Sequence, residues 1–135
     1  MLQPKKSKFR KEFRGKRRGV AGRGNAVAFG EFGLKATSAG WVSSRQIEAA
    51  RKKITFMTKR AGKYWVRFFP HKPTTKKPVG VKMGSGKGAI DTYVAVVRPG
   101  MILFELGGVT EEVAKIAFTK AGHKLSVQTT VVSKE

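Results

Sequence analysis

The stretch SSRQIEAARKKITFMTKRAGKYWVRFF, from Ser43 to Phe69, carries the clearest folding signals in the chain. Ser43 and Gln46 have the spacing of a capping box, which marks the start of a helix. Apolar residues then recur at helical spacing and form one stripe: Ile47, Ala50, Ile54, Met57 and Ala61. We predict that this helix ends at a C-terminal cap on Gly62. From Lys63 onward, aromatic and β-branched residues predict a strand.

Further elements follow this helix and strand. Thr92–Val97 and Met101–Leu106 flank the sequence Arg-Pro-Gly and predict a β-hairpin. Thr110 is placed to cap a second helix, and Leu125–Val132 predicts a closing strand. Because helices and strands interleave, the predicted class is α+β, with two helices packed on a mixed β-sheet.

Two aromatic positions near the first helix have a structural interpretation. Trp41 precedes the helix, and we predict that it packs against it rather than stacking on a nucleotide base. Phe56 lies inside the helical stretch and is predicted to belong to the core.

Charge is distributed unevenly along the chain. There are 29 Lys and Arg against 8 Asp and Glu, which gives a net charge of +21. The whole excess lies in residues 1–100, whereas residues 101–135 are neutral. Nucleic acid is the polyanion that most often relieves the self-repulsion of such a chain. The competing interpretations are a membrane-active cationic protein and a general nucleic-acid compacting protein.

The first basic zone, residues 1–24, is predicted to be an extended RNA-binding arm, because it has too little apolar surface to fold alone. Phe9 and Phe13 either stack on exposed bases or form one face of a short helix. Residues 25–135 are predicted to form a single α+β domain. The arm cations predicted to contact phosphate are Lys5, Lys6, Lys8, Arg10, Lys11, Arg14, Lys16, Arg17, Arg18 and Arg23.

The second basic zone, Pro70–Gly88, contains five lysines and no acid. We predict that residues 70–90 form a long inserted loop, and long loops in small domains are usually functional. Glycines let its backbone approach a phosphate chain closely, and lysines supply charge on flexible stems. The alternative is a solvated loop that only keeps the chain soluble. The predicted tip consists of Lys82, Met83, Gly84, Ser85, Gly86, Lys87 and Gly88.

Other cations are also predicted to face RNA. They lie on the polar side of the first helix and at the start of the second basic zone: Arg45, Arg51, Lys52, Lys59, Arg60, Lys72, Lys76 and Lys77.

The loop glycines do not fit a nucleotide-binding enzyme. A Walker loop needs Ser or Thr after its Gly-Lys pair, whereas Gly88 follows Lys87 here. Gly84, Gly86 and Ala89 match the dinucleotide fingerprint, but a β-type run replaces the helix that the fingerprint needs. With no cysteine and no clustered histidines or carboxylates, we predict no enzyme activity, no cofactor and no metal. We also predict no membrane partner, since no apolar run is long enough to span a bilayer.

Six segments in order carry a family resemblance: MLQPKKSKFRK, FGEFGLKA, SSRQIEAARKKIT, RAGKYWVRFFPHKPTTKKPVGVKMGSGKG, YVAVVRPGMILFEL and VTEEVAKIAF. Together they closely resemble the bacterial-type large-subunit ribosomal protein L-sixteen family, from Met1 to about Val132. The resemblance implies an α+β fold packed on large-subunit ribosomal RNA, near the aminoacyl-tRNA site and beside the peptidyl-transferase centre. It implies a protein that supports tRNA accommodation, joins late in subunit assembly and is not itself the catalyst.

The resemblance also implies partners and places. The partners are large-subunit ribosomal RNA, aminoacyl-site tRNA and neighbouring ribosomal proteins, with no small-molecule substrate. The loop, Pro78–Ile90, reaches toward the catalytic centre, and the arm, Met1–Arg23, runs along ribosomal RNA. The implied location is a ribosome of the bacterial cytoplasm or of an organelle. Lys82 departs from the arginine common in the family, so the planar fork of a guanidinium is lost there.

Overall fold

A computed structural model describes residues 2–84 and 86–134. The elements in chain order are β1 (Phe32–Ala36), β2 (Gly40–Ser43), α1 (Ser44–Met57), β3 (Lys63–Val66), β4 (Lys72–Lys76), β5 (Ala89–Val97), β6 (Ile102–Gly107), α2 (Glu111–Gly122) and β7 (Thr129–Ser133). The predicted α+β class with two helices is confirmed. The prediction of one mixed sheet is wrong in detail, because the described strands form two sheets whose pairings are all antiparallel.

The two helices lie over different sheets. The four-stranded sheet has the order β3-β6-β1-β7, and the three-stranded sheet has the order β2-β5-β4. Helix α1 contacts β2 and β5, α2 contacts β1 and β7, and the helices contact each other. Alanines at the buried positions of both helices let their backbones approach closely. The buried helix residues with hydrophobic side chains are Ile47, Ala50 and Ile54 from α1, and Ala114, Ala117, Phe118 and Ala121 from α2.

Both helices begin where the sequence predicts. The Ser43 hydroxyl accepts a hydrogen bond from the Gln46 N–H at 3.2 Å, and the Gln46 side chain accepts one from the Ser43 N–H at 2.9 Å. The capping box is therefore confirmed. Thr110 caps α2 by accepting a hydrogen bond from the Val113 N–H at 3.3 Å.

The end of α1 differs from the prediction. The helix ends at Met57, and Lys59 and Arg60 adopt left-handed φ angles of 53° and 61° before the chain reaches Gly62. Phe56 is 72% exposed, so its assignment to the core is wrong. At about 100° per residue, it points some 200° away from the buried Ile54.

The predicted hairpin is also wrong. Strand β5 pairs with β2 and β4, whereas β6 pairs with β1 and β3. The Arg98–Gly100 segment does turn, since the Met101 N–H donates to the Arg98 carbonyl at 3.2 Å. However, the Gly100 N–H donates to the Ala36 carbonyl at 2.8 Å, which ties the turn to β1. The turn thus carries the chain from one sheet to the other.

The predicted loop of residues 70–90 is partly strand. Lys72–Lys76 forms β4 at the edge of the three-stranded sheet, where the missing N–H of Pro73 is tolerated. The Thr74 and Thr92 hydroxyls form a cross-strand hydrogen bond of 2.8 Å. The connecting loop is therefore the shorter segment Lys77–Gly88.

Candidate nucleic-acid interface

The arm is extended but not detached. Residues 2–31 contain no helix or strand, which rules out the short helix as the role of Phe9 and Phe13. Near its end the arm is pinned by backbone hydrogen bonds. The Ala21 N–H donates to the Pro99 carbonyl at 2.9 Å, and the Ile102 N–H donates to the Gly24 carbonyl at 2.7 Å.

Cations from the arm and from β4 lie around the indole ring of Trp41 on β2. Arg14, Arg17 and Lys72 lie 5.7, 5.2 and 5.5 Å from the centre of its indole ring. Lys72 also donates a hydrogen bond to the carbonyl of Arg14. The packing of Trp41 against α1 stays a prediction, and the ring contacts described for Trp41 are with cations of the arm and of β4. We name Arg14, Arg17, Lys72 and Trp41 the Trp41 cluster.

A small cleft adjoins the Trp41 cluster and brings the loop to the arm. Lys87 from the loop and Glu12 from the arm share its lining with Arg14, Trp41 and Lys72. The Lys87 ammonium donates to the Glu12 carbonyl, and the Lys11 ammonium donates to the Lys87 carbonyl at 3.3 Å.

The other arm cations lie at the surface. Phe13 is 92% exposed with Lys87 5.9 Å from its ring centre, and Phe9 is 64% exposed with Lys8 at 5.5 Å. Both rings are therefore accessible to a binding partner. The remaining exposed arm cations are Lys5, Lys6, Arg10, Lys16, Arg18 and Arg23.

The loop tip and the residues leading to it are exposed to solvent. Val79 and Met83 are fully exposed, and Lys82 is exposed beside them. Gly84 has a φ of 105°, a conformation that L-residues rarely adopt, and the Lys77 ammonium donates to its carbonyl. Gly86, Lys87 and Gly88 return the chain to β5, and the predicted Ser85 lies outside the described residues.

The cations predicted on the first helix fall into two places. Arg45 is exposed in the first turn of α1. Arg51, Lys52, Lys59 and Arg60 instead line one cleft at the C-terminal end of that helix. Arg51 forms an ion pair with Glu48 and donates to the Tyr64 hydroxyl at 3.3 Å. Of the β4 residues, Lys72 belongs to the Trp41 cluster and Lys76 is exposed.

Glu105 is not among the predicted site residues, and it is fully buried on β6. One carboxylate oxygen accepts hydrogen bonds from the N–H groups of Ala28, Phe29 and Gly30 at 3.0, 2.8 and 2.9 Å. The other pairs with the Arg67 guanidinium at 2.7 Å, and Arg67 also donates to the Ala26 carbonyl at 2.9 Å. The name "Glu105 centre" is used below for Glu105, Arg67 and the residues whose backbone they bind: Ala26, Ala28, Phe29 and Gly30.

Electrostatics explains why this carboxylate stays ionised. Burial would raise the pKa of Glu105, but the N–H donors and Arg67 outweigh it and lower the pKa below its ordinary value. The Glu105 centre thereby fixes the segment from which the arm departs. The available signal was a lone acid in the apolar run Met101–Leu106, which indicates a buried and paired charge.

Neither a metal-binding group nor a membrane-spanning helix is found in the segments described. Residues 2–84 and 86–134 contain no group of three His, Cys, Asp or Glu side chains placed to hold a metal ion. Within the same segments, neither helix has the length and apolarity needed to cross a membrane.

The fold and the cation clusters define a basic α+β protein with the surface of a nucleic-acid binder. The family model described as ribosomal protein L16p/L10e matches residues 4–132. The chain is 55% identical to "Large ribosomal subunit protein uL16" of Francisella philomiragia subsp. philomiragia, and the alignment covers 100% of this chain and 98% of that protein. It is 54% identical to the proteins of that name from Francisella tularensis subsp. novicida and subsp. holarctica, with the same coverage.

The chain therefore belongs to the ribosomal protein L16p/L10e family. It is a structural protein of the ribosome and not an enzyme. This confirms the resemblance found in the sequence.

Proposed function

We propose that this protein is a constituent of the large ribosomal subunit that binds ribosomal RNA through its arm, its Trp41 cluster and its loop tip. The relatives named as large-subunit proteins support the assignment to that subunit. In the same proposal, the loop tip supports the aminoacyl-tRNA site near the peptidyl-transferase centre of a bacterial cytoplasmic ribosome.

The observation that carries the proposal is the scarcity of ion pairs. Among residues 2–84 and 86–134, only Arg51, Arg67 and Lys115 lie within ion-pair distance of a carboxylate. The other Lys and Arg side chains of these segments are not neutralised by a close ion pair. A phosphate chain supplies that missing negative charge. Each cation placed against it also releases a condensed counterion, which favours binding.

The Trp41 cluster shows how the fold presents this charge. It keeps three cations around one ring although like charges repel. Cation–π attraction offsets part of that repulsion, at about 0.5–1 kcal/mol for an exposed contact. These contacts thus hold the arm on the three-stranded sheet. The cations of the cluster lie close together, where one phosphate chain can contact them.

The loop tip suits a different contact. Lys82 and Met83 of the tip are exposed, as is Val79 earlier in the loop. The lysine supplies charge and the apolar side chains supply contact surface. This combination supports a loop that reaches into a crevice of folded RNA beside tRNA.

Sedimentation with large subunits tests the subunit assignment. We expect purified protein to add back to large subunits that lack it, to survive a moderate-salt wash and to leave small subunits unbound. Retention on small subunits alone, or on neither subunit, would refute the proposal.

Substitution of the loop lysines tests the tRNA part. K82Q/K87Q is expected to slow accommodation of aminoacyl-tRNA on reconstituted ribosomes while the protein still sediments with the large subunit. The matched control is K120Q/K124Q, which also removes two positive charges. Both lysines are exposed, Lys120 in the last turn of α2 and Lys124 just after the helix. Normal accommodation by the loop variant would contradict the role proposed for the tip.

A further inference from the structure

We propose that the C-terminal end of α1 is a binding site for one unpaired RNA nucleotide. Phe56 is the platform on which the base stacks, and Lys59 and Arg60 contact the adjoining phosphates. The inference rests on the proposed RNA-binding function and adds to it a second site with a defined ligand chemistry.

The site is a cleft of about 540 Å³. A volume of this size lies in the range of pockets that hold small organic ligands, roughly 300–1,000 Å³. Phe56 is 72% exposed in it, and the Lys53 ammonium lies 5.3 Å from the ring centre. The described residues that line the cleft are Arg51, Lys52, Thr55, Phe56, Lys59 and Arg60, and none of them is acidic.

The backbone beside the ring is strained. Lys59 and Arg60 are the described residues other than glycine that have positive φ angles. Each such conformation is unfavourable for an L-residue and persists where the surroundings impose it, often at binding sites. Hydrogen bonds from their N–H groups to the carbonyls of Phe56 and Thr55, at 3.2 and 3.1 Å, hold this turn against the helix end. The strained turn places two cations beside the exposed ring.

The chemistry of the cleft selects its ligand. An aromatic face stacks with any nucleobase, and nearby cations bind the phosphates of the same strand. Arg51 already pairs with Glu48 and Lys52 interacts with the same carboxylate at longer range, whereas Lys59 and Arg60 have no described carboxylate partner. A fully paired duplex offers no free base face to the ring. An unpaired nucleotide supplies both the base and the negative charge.

The cleft is separate from the Trp41 cluster. Trp41 lies two residues before the N-cap of α1, whereas Phe56 lies in its last turn. The helix has 14 residues, so its two ends stand roughly 20 Å apart at 1.5 Å per residue. The cleft and the cluster share no lining residue.

The test compares single-stranded and duplex RNA binding by the full chain. The probes are a 12-nucleotide oligouridylate and a 12-base-pair RNA duplex, titrated at one fixed salt concentration by fluorescence anisotropy. We expect F56A to weaken oligouridylate binding about 5- to 150-fold, the usual scale for losing one stacked base, and duplex binding less than about twofold. F56W should retain the affinity. The control I116A truncates another exposed apolar side chain, on α2, and should change neither affinity.

Cross-linking separates this ring from the exposed rings of the arm. An oligouridylate with one 5-iodouridine, irradiated in complex with the wild-type protein, should attach at position 56, as located by mass spectrometry. K59Q/R60Q should reduce the magnitude of the salt slope by about 0.7 per charge for single-stranded RNA, whereas F56A should leave the slope unchanged.

The outcomes distinguish the two proposals. If the wild-type protein binds neither RNA, the proposed RNA-binding function is refuted. If it binds both but F56A alters the two affinities equally or not at all, and position 56 does not cross-link, the nucleotide site is refuted. If F56A binds both RNAs normally yet is lost from large subunits in the salt wash, the ring contacts a protein and the site is likewise refuted.

Discussion

Charge is compensated within the Glu105 centre and left uncompensated in the Trp41 cluster. In the Glu105 centre, one buried carboxylate receives three backbone N–H donors and a guanidinium, so the charge is fully compensated within the fold. In the Trp41 cluster, Arg14, Arg17 and Lys72 converge on a neutral ring and none has a described carboxylate partner.

This difference separates stability from binding. A compensated buried charge holds the chain in one conformation, and its loss is costly. Surface cations without partners repel one another and so destabilise the folded state. Their interactions become favourable only when a polyanion binds. We therefore expect changes in the Glu105 centre to affect folding and changes in the Trp41 cluster to affect RNA binding.

The largest effect is expected from E105A. It leaves the Arg67 charge and three N–H groups without their acceptor, and breaking such a pair typically costs about 3–5 kcal/mol. Urea denaturation at neutral pH measures the loss of unfolding free energy. The control E111A removes an exposed carboxylate that pairs with Lys115, and it should cost less than about 1 kcal/mol. Equal losses for the two variants would contradict the role of the Glu105 centre.

The contribution of Glu105 should depend on pH. Since its pKa is lower in the folded state, the ionised form stabilises the fold above the unfolded pKa of about 4.3. This contribution is lost as the pH falls through the lower, folded value. The unfolding free energies of wild type and E105Q should differ by a constant amount between about pH 5 and 7 and converge below about pH 4. A difference that grows on acidification would reverse the sign of the proposed linkage.

A pair of glycine substitutions should show the same division with a smaller effect. Gly62 has a φ of 70°, and a Cβ there would lie 2.3 Å from the Gly107 carbonyl oxygen, whereas a Cβ on Gly84 would meet nothing within 4 Å. We expect G62A to cost at least about 1–2 kcal/mol of unfolding free energy, the usual penalty of the left-handed conformation. G84A should cost no more than about 1–2 kcal/mol, because its φ of 105° disfavours alanine but its Cβ would meet no neighbouring atom. Thermal unfolding that ranks the two variants in the opposite order would disprove this.

The smallest effect is expected from W41A. Loss of the ring's contacts with Arg14 and Arg17, at about 0.5–1 kcal/mol each, should raise the population of undocked arm roughly 5- to 30-fold. Limited trypsin digestion measures this as faster cleavage at Arg14, Arg17 and Arg18 relative to cleavage within the domain. W41F keeps an aromatic face and should stay near the wild-type rate. Identical arm cleavage in all three proteins would show that the ring does not hold the arm.

Much of the fold was predictable because its signals are local. The Ser43–Gln46 capping box and the Thr110 cap act within one helical turn, so sequence spacing was enough to place both helix starts. The false hairpin around Arg98–Gly100 shows the limit of such signals. The turn is real, but strand partners are chosen by contacts distant in sequence, such as the hydrogen bond between Gly100 and Ala36.

The site was predictable in its composition and not in its geometry. Charge counting found Arg14, Arg17 and Lys72 as separate members of two basic zones. It could not show that Trp41 brings them together, because that contact joins the arm to two strands. Phe56 was misassigned for a related reason. Which face of α1 is buried depends on how the sheet and α2 pack against the helix.

Salt dependence of RNA binding tests the central claim most directly. The affinity of the wild-type protein for ribosomal RNA should fall steeply with salt, and R14Q/R17Q/K72Q should reduce the magnitude of the logarithmic slope by about two to three, near 0.7–0.9 per lost phosphate contact. K115Q/K120Q/K124Q removes the same number of charges from the neutral third of the chain and should leave the slope unchanged. A flat wild-type response, or equal slope changes for the two triple variants, would contradict the account.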